Sequence, residues 1–206
     1  MYSPLAAELW DLYAGEFKAR WGMDREVAAI IGARSKSLFS AEFMESGVDS
    51  YRTSVVLPIR NAFYAASQMG ERWKTLWKMS LREPLLDYGC GVGVQLLWLK
   101  RHGFNQLYGY EVPGVQRNIL VKIADDHGIG MWKKGEQMET VLCTNVLEHV
   151  SDPVGLLDML LTVGKRVIAN VCMDDHEESH VAPHDELDKC REMLEMNNGL
   201  FVQRAA

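Results

Sequence analysis

The chain has 206 residues, 48% of them hydrophobic and 24% charged, with a formal net charge of −6. That length suits one α/β domain with an additional segment, and the composition is that of an ordinary soluble globular protein. The acidic balance opposes tight polyanion binding, so a nucleic-acid substrate is disfavoured unless a local basic patch exists.

The chain start, Met1-Tyr2-Ser3-Pro4-Leu5, lacks the basic and apolar regions of a signal peptide. Ser3-Pro4 is a helix start, with Ser as cap and Pro at the first helical position. Leu5, Leu9, Leu12, Tyr13 and Phe17 then recur at helical spacing. Asp24 is placed to cap a second helix whose apolar face carries Val27, Ile30 and Ile31. Gly47-Val48-Asp49-Ser50 reads as a loop. Helical spacing returns over Ser54 to Ser67 and Glu71 to Ser80, where Trp73 and Trp77 lie one turn apart. Residues 1–82 thus form a helical extension. It either packs on the downstream domain or acts as a lid over a substrate site.

From Leu85 the pattern alternates strand and helix, which predicts a parallel sheet covered on both faces. Strands are expected near 85–88, 107–111, 140–145, 166–172 and 200–204, with a weak one at 130–133. Helices are expected over 94–102, 114–127, 154–163 and 184–197. The helix at 154–163 has Ser151 and Asp152 as caps, Pro153 at its start, and Leu156, Leu157, Leu160 and Leu161 on its buried face. Of the four cysteines, Cys90, Cys143 and Cys172 fall on or beside strands, where thiols stay reduced, and Cys190 lies apart from them. No apolar run approaches the roughly 20 residues that span a bilayer. A cytoplasmic protein with no membrane partner follows as the expectation.

The segment Leu85-Leu86-Asp87-Tyr88-Gly89-Cys90-Gly91-Val92-Gly93 reads as a buried strand that runs into a glycine turn and then a helix. Glycines let the backbone turn sharply and approach a ligand, and the helix start presents N–H groups to it. The spacing is Gly-x-Gly-x-Gly. A dinucleotide fingerprint would place its third small residue at position 94, which is Val94. The next strand, Leu107-Tyr108-Gly109-Tyr110-Glu111, ends in a carboxylate at the distance from the turn expected of a ribose reader. Thr140 to Val150, Thr-Val-Leu-Cys-Thr-Asn-Val-Leu-Glu-His-Val, supplies a further strand and its exit loop.

Together these three motifs resemble class I S-adenosylmethionine-dependent methyltransferases over roughly residues 80–204. The run Leu-Glu-His-Val followed by Asp152-Pro153 is most similar to the quinone-biosynthesis O-methyltransferases. The resemblance implies a Rossmann-like α/β sheet flanked by helices, made by residues 83–206. It implies S-adenosyl-L-methionine as cofactor and a small-molecule methyl acceptor, most readily methylated at oxygen, with nitrogen as the alternative. Asp87, Tyr88, Gly89, Cys90, Gly91, Gly93, Glu111, Val112, Thr144, Asn145 and Val146 become its candidate cofactor residues. Asp87 suits the cationic amino group and Glu111 the two ribose hydroxyls. Two departures stand out. No acidic residue ends the third strand, and the usual seventh, antiparallel strand is absent or much reduced before Ala206. A nucleic-acid methyltransferase of the RNA 3′-end type, or a binding protein without methyl transfer, are the rival classes.

His149 is the candidate catalytic residue, a base for a substrate hydroxyl. Glu148 and His149 otherwise serve as helix-entry scaffolding or as part of a metal site of the Glu-x-x-Glu-His kind. Asn145 replaces the first acidic ligand of that pattern, so no metal is expected. Asp174 to His184 carries three histidines four apart among acids. A solvated loop, a substrate contact and a metal site are its alternatives. Both segments should emerge at the carboxyl edge of the sheet, so His149 and at least one of His176, His180 and His184 are expected to face the same cleft.

Overall fold

In a computed structural model of the chain, residues 4–46, 49–63, 80–172, 181–196 and 200–204 are described. The N-terminal helices are α1 Pro4–Trp21, α2 Arg25–Ser46 and α3 Ser50–Thr53, followed by α4, described over residues 56–63. Strand β1 Leu85–Tyr88 leads through α5 Val94–Arg101 to β2 Leu107–Tyr110. Next come α6 Val115–His127, β3 Gly130–Met131 and β4 Thr140–Thr144. The chain ends through α7 Pro153–Val163, β5 Val167–Cys172, α8 His184–Met196 and β6 Leu200–Arg204.

The six strands form one sheet in the order β3-β2-β1-β4-β5-β6, and every pairing is parallel. The expected α/β fold is therefore present. Central strand β1 places Asp87 level with Gly109 on one side and Leu142 on the other. The strand order reverses beside β1, so the loops after β1 and β4 diverge there and leave a crevice at the carboxyl edge. Strand β6 pairs directly with β5, and among the described residues no antiparallel strand joins the sheet.

Side chains alternate between the two sheet faces. Leu85, Leu107, Leu142 and Ile168 pack with residues of α5 and α6. Leu86, Val141, Cys143 and Ala169 pack with α7 and α8. The same alternation puts Asp87 and Thr144 on the α5 face. On the other face Tyr88 stacks on Tyr110, with ring centroids 4.5 Å apart, and Trp132 meets both edge-on. These rings fill the space left by the short, non-helical connection over residues 132–139.

Asp152 starts α7 as expected, its Oδ1 accepting the Gly155 N–H at 2.8 Å. In α1, Leu9, Tyr13 and Phe17 are buried, and the Tyr13 hydroxyl donates to the Val92 carbonyl at 2.7 Å. That bond ties α1 to the turn after β1. Helix α2 corrects the expected face. Of the three expected residues Ile31 does pack against the core, but Val27 and Ile30 are 48% and 58% exposed, while Ala28, Gly32, Ser35 and Phe39 are buried. Gly32 lies on the inward face where α4 comes close. A Cβ on Gly32 would lie 2.6 Å from the Phe63 ring. Asp24 accepts the Ala28 N–H through its carbonyl at 2.9 Å, while its carboxylate pairs with Lys18. Ser54 caps α4, its Oγ accepting the N–H groups of Val56 and Leu57. Trp73, Trp77, His176 and His180 lie outside the described residues.

Candidate functional site

Beyond β1 the chain turns through Gly89, Gly91 and Gly93, with φ of 72°, 57° and 83°. Such left-handed values are costly for residues that carry a Cβ. A Cβ on Gly89 would lie 2.4 Å from Val146 Cγ2, one on Gly91 2.9 Å from Asn61 Nδ2, and one on Gly93 2.7 Å from Leu120 Cδ1. The glycines therefore admit the β4 exit, α4 and α6 against the turn. The turn amides are engaged as well. Gly89 and Cys90 donate to the Tyr110 carbonyl at 2.8 and 3.1 Å, Gly93 donates to the Cys90 carbonyl at 2.9 Å, and Gly91 donates to Glu111 Oε2 at 2.7 Å. Strand ends β1 and β2 are thereby latched together.

Two buried carboxylates sit at this junction. Asp87 is 1% exposed, and its Oδ2 has no hydrogen-bond partner. Burial, then the nearby charge of Glu111, pushes its pKa well above the usual carboxylate range. Glu111 is 7% exposed and is raised by burial, against the opposing pull of the Gly91 and Val112 amides and of Arg117. Arg117 also donates to the Glu111 carbonyl at 2.7 Å. An orphaned buried carboxylate oxygen destabilises the fold unless a donor reaches it. A ligand carrying an ammonium group fits Asp87. One carrying adjacent hydroxyls fits Glu111, whose oxygens have acceptor positions beyond those the two amides use.

The β4 exit supplies the second half of the site. Thr144 Oγ1 donates to Gln95 Oε1 at 3.4 Å. Asn145 holds a left-handed φ of 54°, a region that Asn tolerates better than most residues, and its Oδ1 is buried without a partner. Val146 covers Gly89. Residues Leu147–His149 form one 3₁₀ turn. Glu148 is buried, and its carbonyl accepts the N–H groups of Val181 and Ala182 at 2.9 and 3.3 Å. The end of the histidine-rich segment is thus tied to the β4 exit. His184 opens α8 as an exposed residue. Among the described residues no group of three or more His, Cys, Asp or Glu is placed to hold a metal ion.

His149 Nδ1 lies 2.8 Å from the Tyr51 hydroxyl, and the two rings are 5.4 Å apart. Tyr51 belongs to α3, so the N-terminal helices reach the carboxyl edge. Two more contacts agree. A Cβ on Gly114 would lie 2.7 Å from the Arg52 carbonyl oxygen, and Asn61 Nδ2 donates to Gln116 Oε1 at 2.5 Å.

Asp87, the glycine turn, Glu111, Val112 and Thr144 to Val146 are brought to one edge, as the motif order implied. The Tyr88 side chain is not, because the pleat turns its ring to the face opposite Asp87. Sequence reasoning missed Gln95, Tyr51 and Asn61. Gln95 left one signal, as a polar residue inside the run Val94 to Leu99, whose Val94, Leu96, Leu97 and Leu99 are buried. Tyr51 and Asn61 left none, since their partners are distant in sequence.

Among the described residues no helix is long and apolar enough to cross a membrane. No curated protein matches the chain. Among solved structures the chain is similar to magnesium protoporphyrin IX methyltransferase from Synechocystis PCC 6803 with bound SAM. That match has 18% identity and a TM-score of 0.51, covering 79% of this chain and 85% of that one. At that identity the likeness is one of fold. The plantazolicin methyltransferase BpumL, in complex with a monoazolic desmethylPZN analogue and SAH, matches at 16% identity and a TM-score of 0.44, over 83% of this chain and 77% of that one. The PH0226 protein from Pyrococcus horikoshii OT3 matches at 18% identity and a TM-score of 0.39, over 49% of this chain and 51% of that one. The chain thus spans about half the length of that last protein. The sequence profile of a methyltransferase domain matches residues 60–185, and the chain belongs to that family.

Proposed function

We propose that the protein is an S-adenosyl-L-methionine-dependent methyltransferase that acts on a small molecule, with an oxygen nucleophile as acceptor. The observation that carries this reading is the orphaned, buried Asp87 carboxylate beside Glu111, at the carboxyl edge of a methyltransferase-family sheet. The cofactor supplies a methyl group already activated on a sulfonium. Asp87 Oδ2 accepts an N–H of the ammonium group, whose positive charge favours the ionised carboxylate. Glu111 accepts from the ribose hydroxyls. Val112, 38% exposed beside it, offers an apolar face to the adenine. What remains for the protein is alignment and exclusion of water.

On the acceptor side His149 is the base. In its working form Nδ1–H donates to Tyr51 Oη, and Nε2 takes the hydroxyl proton as the methyl moves. The motif Leu-Glu-His-Val followed by Asp152-Pro153 supports an O-methyltransferase of the quinone-biosynthesis kind. Helices α3 and α4 lie against Gly114, Gly91 and His149, which supports their role as a lid and favours a compact acceptor over a polymer. The net charge of −6 points the same way. The free thiols of Cys90, Cys143 and Cys190 suit the reducing cytoplasm.

Incubation with methyl-labelled cofactor and a fractionated cell extract tests the reading. Label should enter the small-molecule fraction, and Glu111→Ala should slow its appearance at subsaturating cofactor. Label in RNA would replace the small-molecule reading. Cofactor binding with no label transferred to any fraction would leave a binding module in place of an enzyme.

A further inference from the structure

Three of the buried polar atoms without a hydrogen-bond partner lie where the β1 and β4 ends meet α5. They are Asp87 Oδ2, Asn145 Oδ1 and Gln95 Nε2. Two are acceptors and one is a donor. Gln95 is the second residue of α5, directly behind the glycine turn. Thr144 Oγ1 donates to its Oε1 at 3.4 Å, which orients the amide and makes Nε2 its outward donor. Asp87 and Thr144 share the α5 face of the sheet, Gln95 bonds to Thr144 and Asn145 follows it, so the three residues belong to one short edge. Asn145 is held there by a left-handed backbone. Buried donors and acceptors are ordinarily paired. A zwitterion relieves both kinds with full charges, an ammonium for the acceptors and a carboxylate for the donor. The start of α5 adds the favourable end of a helix dipole for the anionic group.

We infer that Gln95 binds the α-carboxylate at the amino-acid end of the cofactor, while Asp87 and Asn145 Oδ1 share its ammonium group. The inference rests on the cofactor reading above and names a residue which that reading does not need. Gln95 is a binding and specificity residue: it makes the site prefer ligands that carry an α-amino acid over those that carry only the nucleoside.

Calorimetry on the full chain with two ligands tests it. S-adenosylhomocysteine carries the amino-acid end, and 5′-methylthioadenosine keeps the adenosine and sulfur but lacks it. Gln95→Glu preserves size and replaces the donor by a carboxylate. It should weaken S-adenosylhomocysteine about 30-fold while 5′-methylthioadenosine changes by less than about twofold. Gln95→Met removes the donor without adding charge and serves if the Glu variant unfolds. Its expected loss is about tenfold, again for S-adenosylhomocysteine alone. Equal losses for the two ligands, or unchanged S-adenosylhomocysteine affinity in both variants, overturn the inference and leave Gln95 as a brace for Thr144. A wild-type protein that binds neither ligand overturns the cofactor reading first, and this inference with it.

Discussion

On the proposed reading the cofactor side comes mainly from one βαβ unit, with Asn145 added from the β4 exit, whereas the acceptor side is assembled across the chain. Asp87, the glycine turn and Glu111 lie on adjacent strand ends, and Gly91 reaches Glu111 over 20 residues. His149 meets Tyr51 over 98. The first side is fixed by the parallel ladder and by amides bonded across it. The second depends on how the N-terminal helices dock on the sheet. A site built in this way should come apart along the same line. Changes at the strand ends should alter cofactor affinity, and changes at the Tyr51–His149 contact should alter turnover.

The sharpest way to break that division is His149→Gln. It should lower kcat by about 10²-fold or more and leave S-adenosylhomocysteine affinity unchanged. A comparable loss of affinity, measured by calorimetry, would show that the two sides are one. The reciprocal change is Glu111→Ala. The proposed ribose contacts are charge-assisted, so it should weaken S-adenosylhomocysteine by roughly 1.5–3 kcal/mol. Gly91 also loses its acceptor, so part of that loss reflects a loosened turn.

Asp87→Asn sharpens the comparison through stability. Burial and the Glu111 charge raise the folded pKa of Asp87 above the unfolded value near 4. Between those two values the native state holds the proton that the unfolded chain has released. The stability of the unliganded protein therefore falls as pH rises through that window. Asn removes the titration, so the unliganded variant should melt higher than wild type at neutral pH. It should also bind S-adenosylhomocysteine about tenfold or more weakly, having lost a charged acceptor. Within that pH window wild-type binding should release a proton, visible as an enthalpy that changes with the ionisation heat of the buffer. A variant that melts lower and binds normally would make Asp87 a structural carboxylate.

The division also explains what was legible in the sequence. The strand at 85–88, the carboxylate at Glu111 and the Asp152 cap depend on neighbours in the chain, and periodicity and turn chemistry report such neighbours. The parallel sheet was legible for the same reason. Helix α2 misled because Gly32 on its inward face admits the Phe63 ring, while Val27 and Ile30 face outward. Close packing can reverse a hydrophobic pattern in this way. The glycines were legible as a turn but not in what they approach: Val146, Asn61 and Leu120 come from three separate elements. Tyr88 follows Asp87 in the motif, yet the pleat sends its ring to the other face.

Tyr51→Phe carries the smallest expected effect and tests the weakest seam. The ring packs edge-on against Phe39 and Phe43, with centroids 5.4 and 6.1 Å away, so a phenyl group keeps those contacts. Only the hydroxyl at His149 Nδ1 is removed. A neutral hydrogen bond at a half-buried position contributes about 1 kcal/mol, so kcat should fall about fivefold. S-adenosylhomocysteine affinity and melting temperature should stay close to wild type. Tyr51→Ala should cost more than Tyr51→Phe in both kcat and melting temperature, because the aromatic contacts that seat α3 go with the ring. If Tyr51→Phe leaves kcat untouched, the hydroxyl does not orient His149. If it lowers S-adenosylhomocysteine affinity as much as kcat, docking of α3 reaches the strand ends, and the separation of the two sides fails at the contact where it should be cleanest.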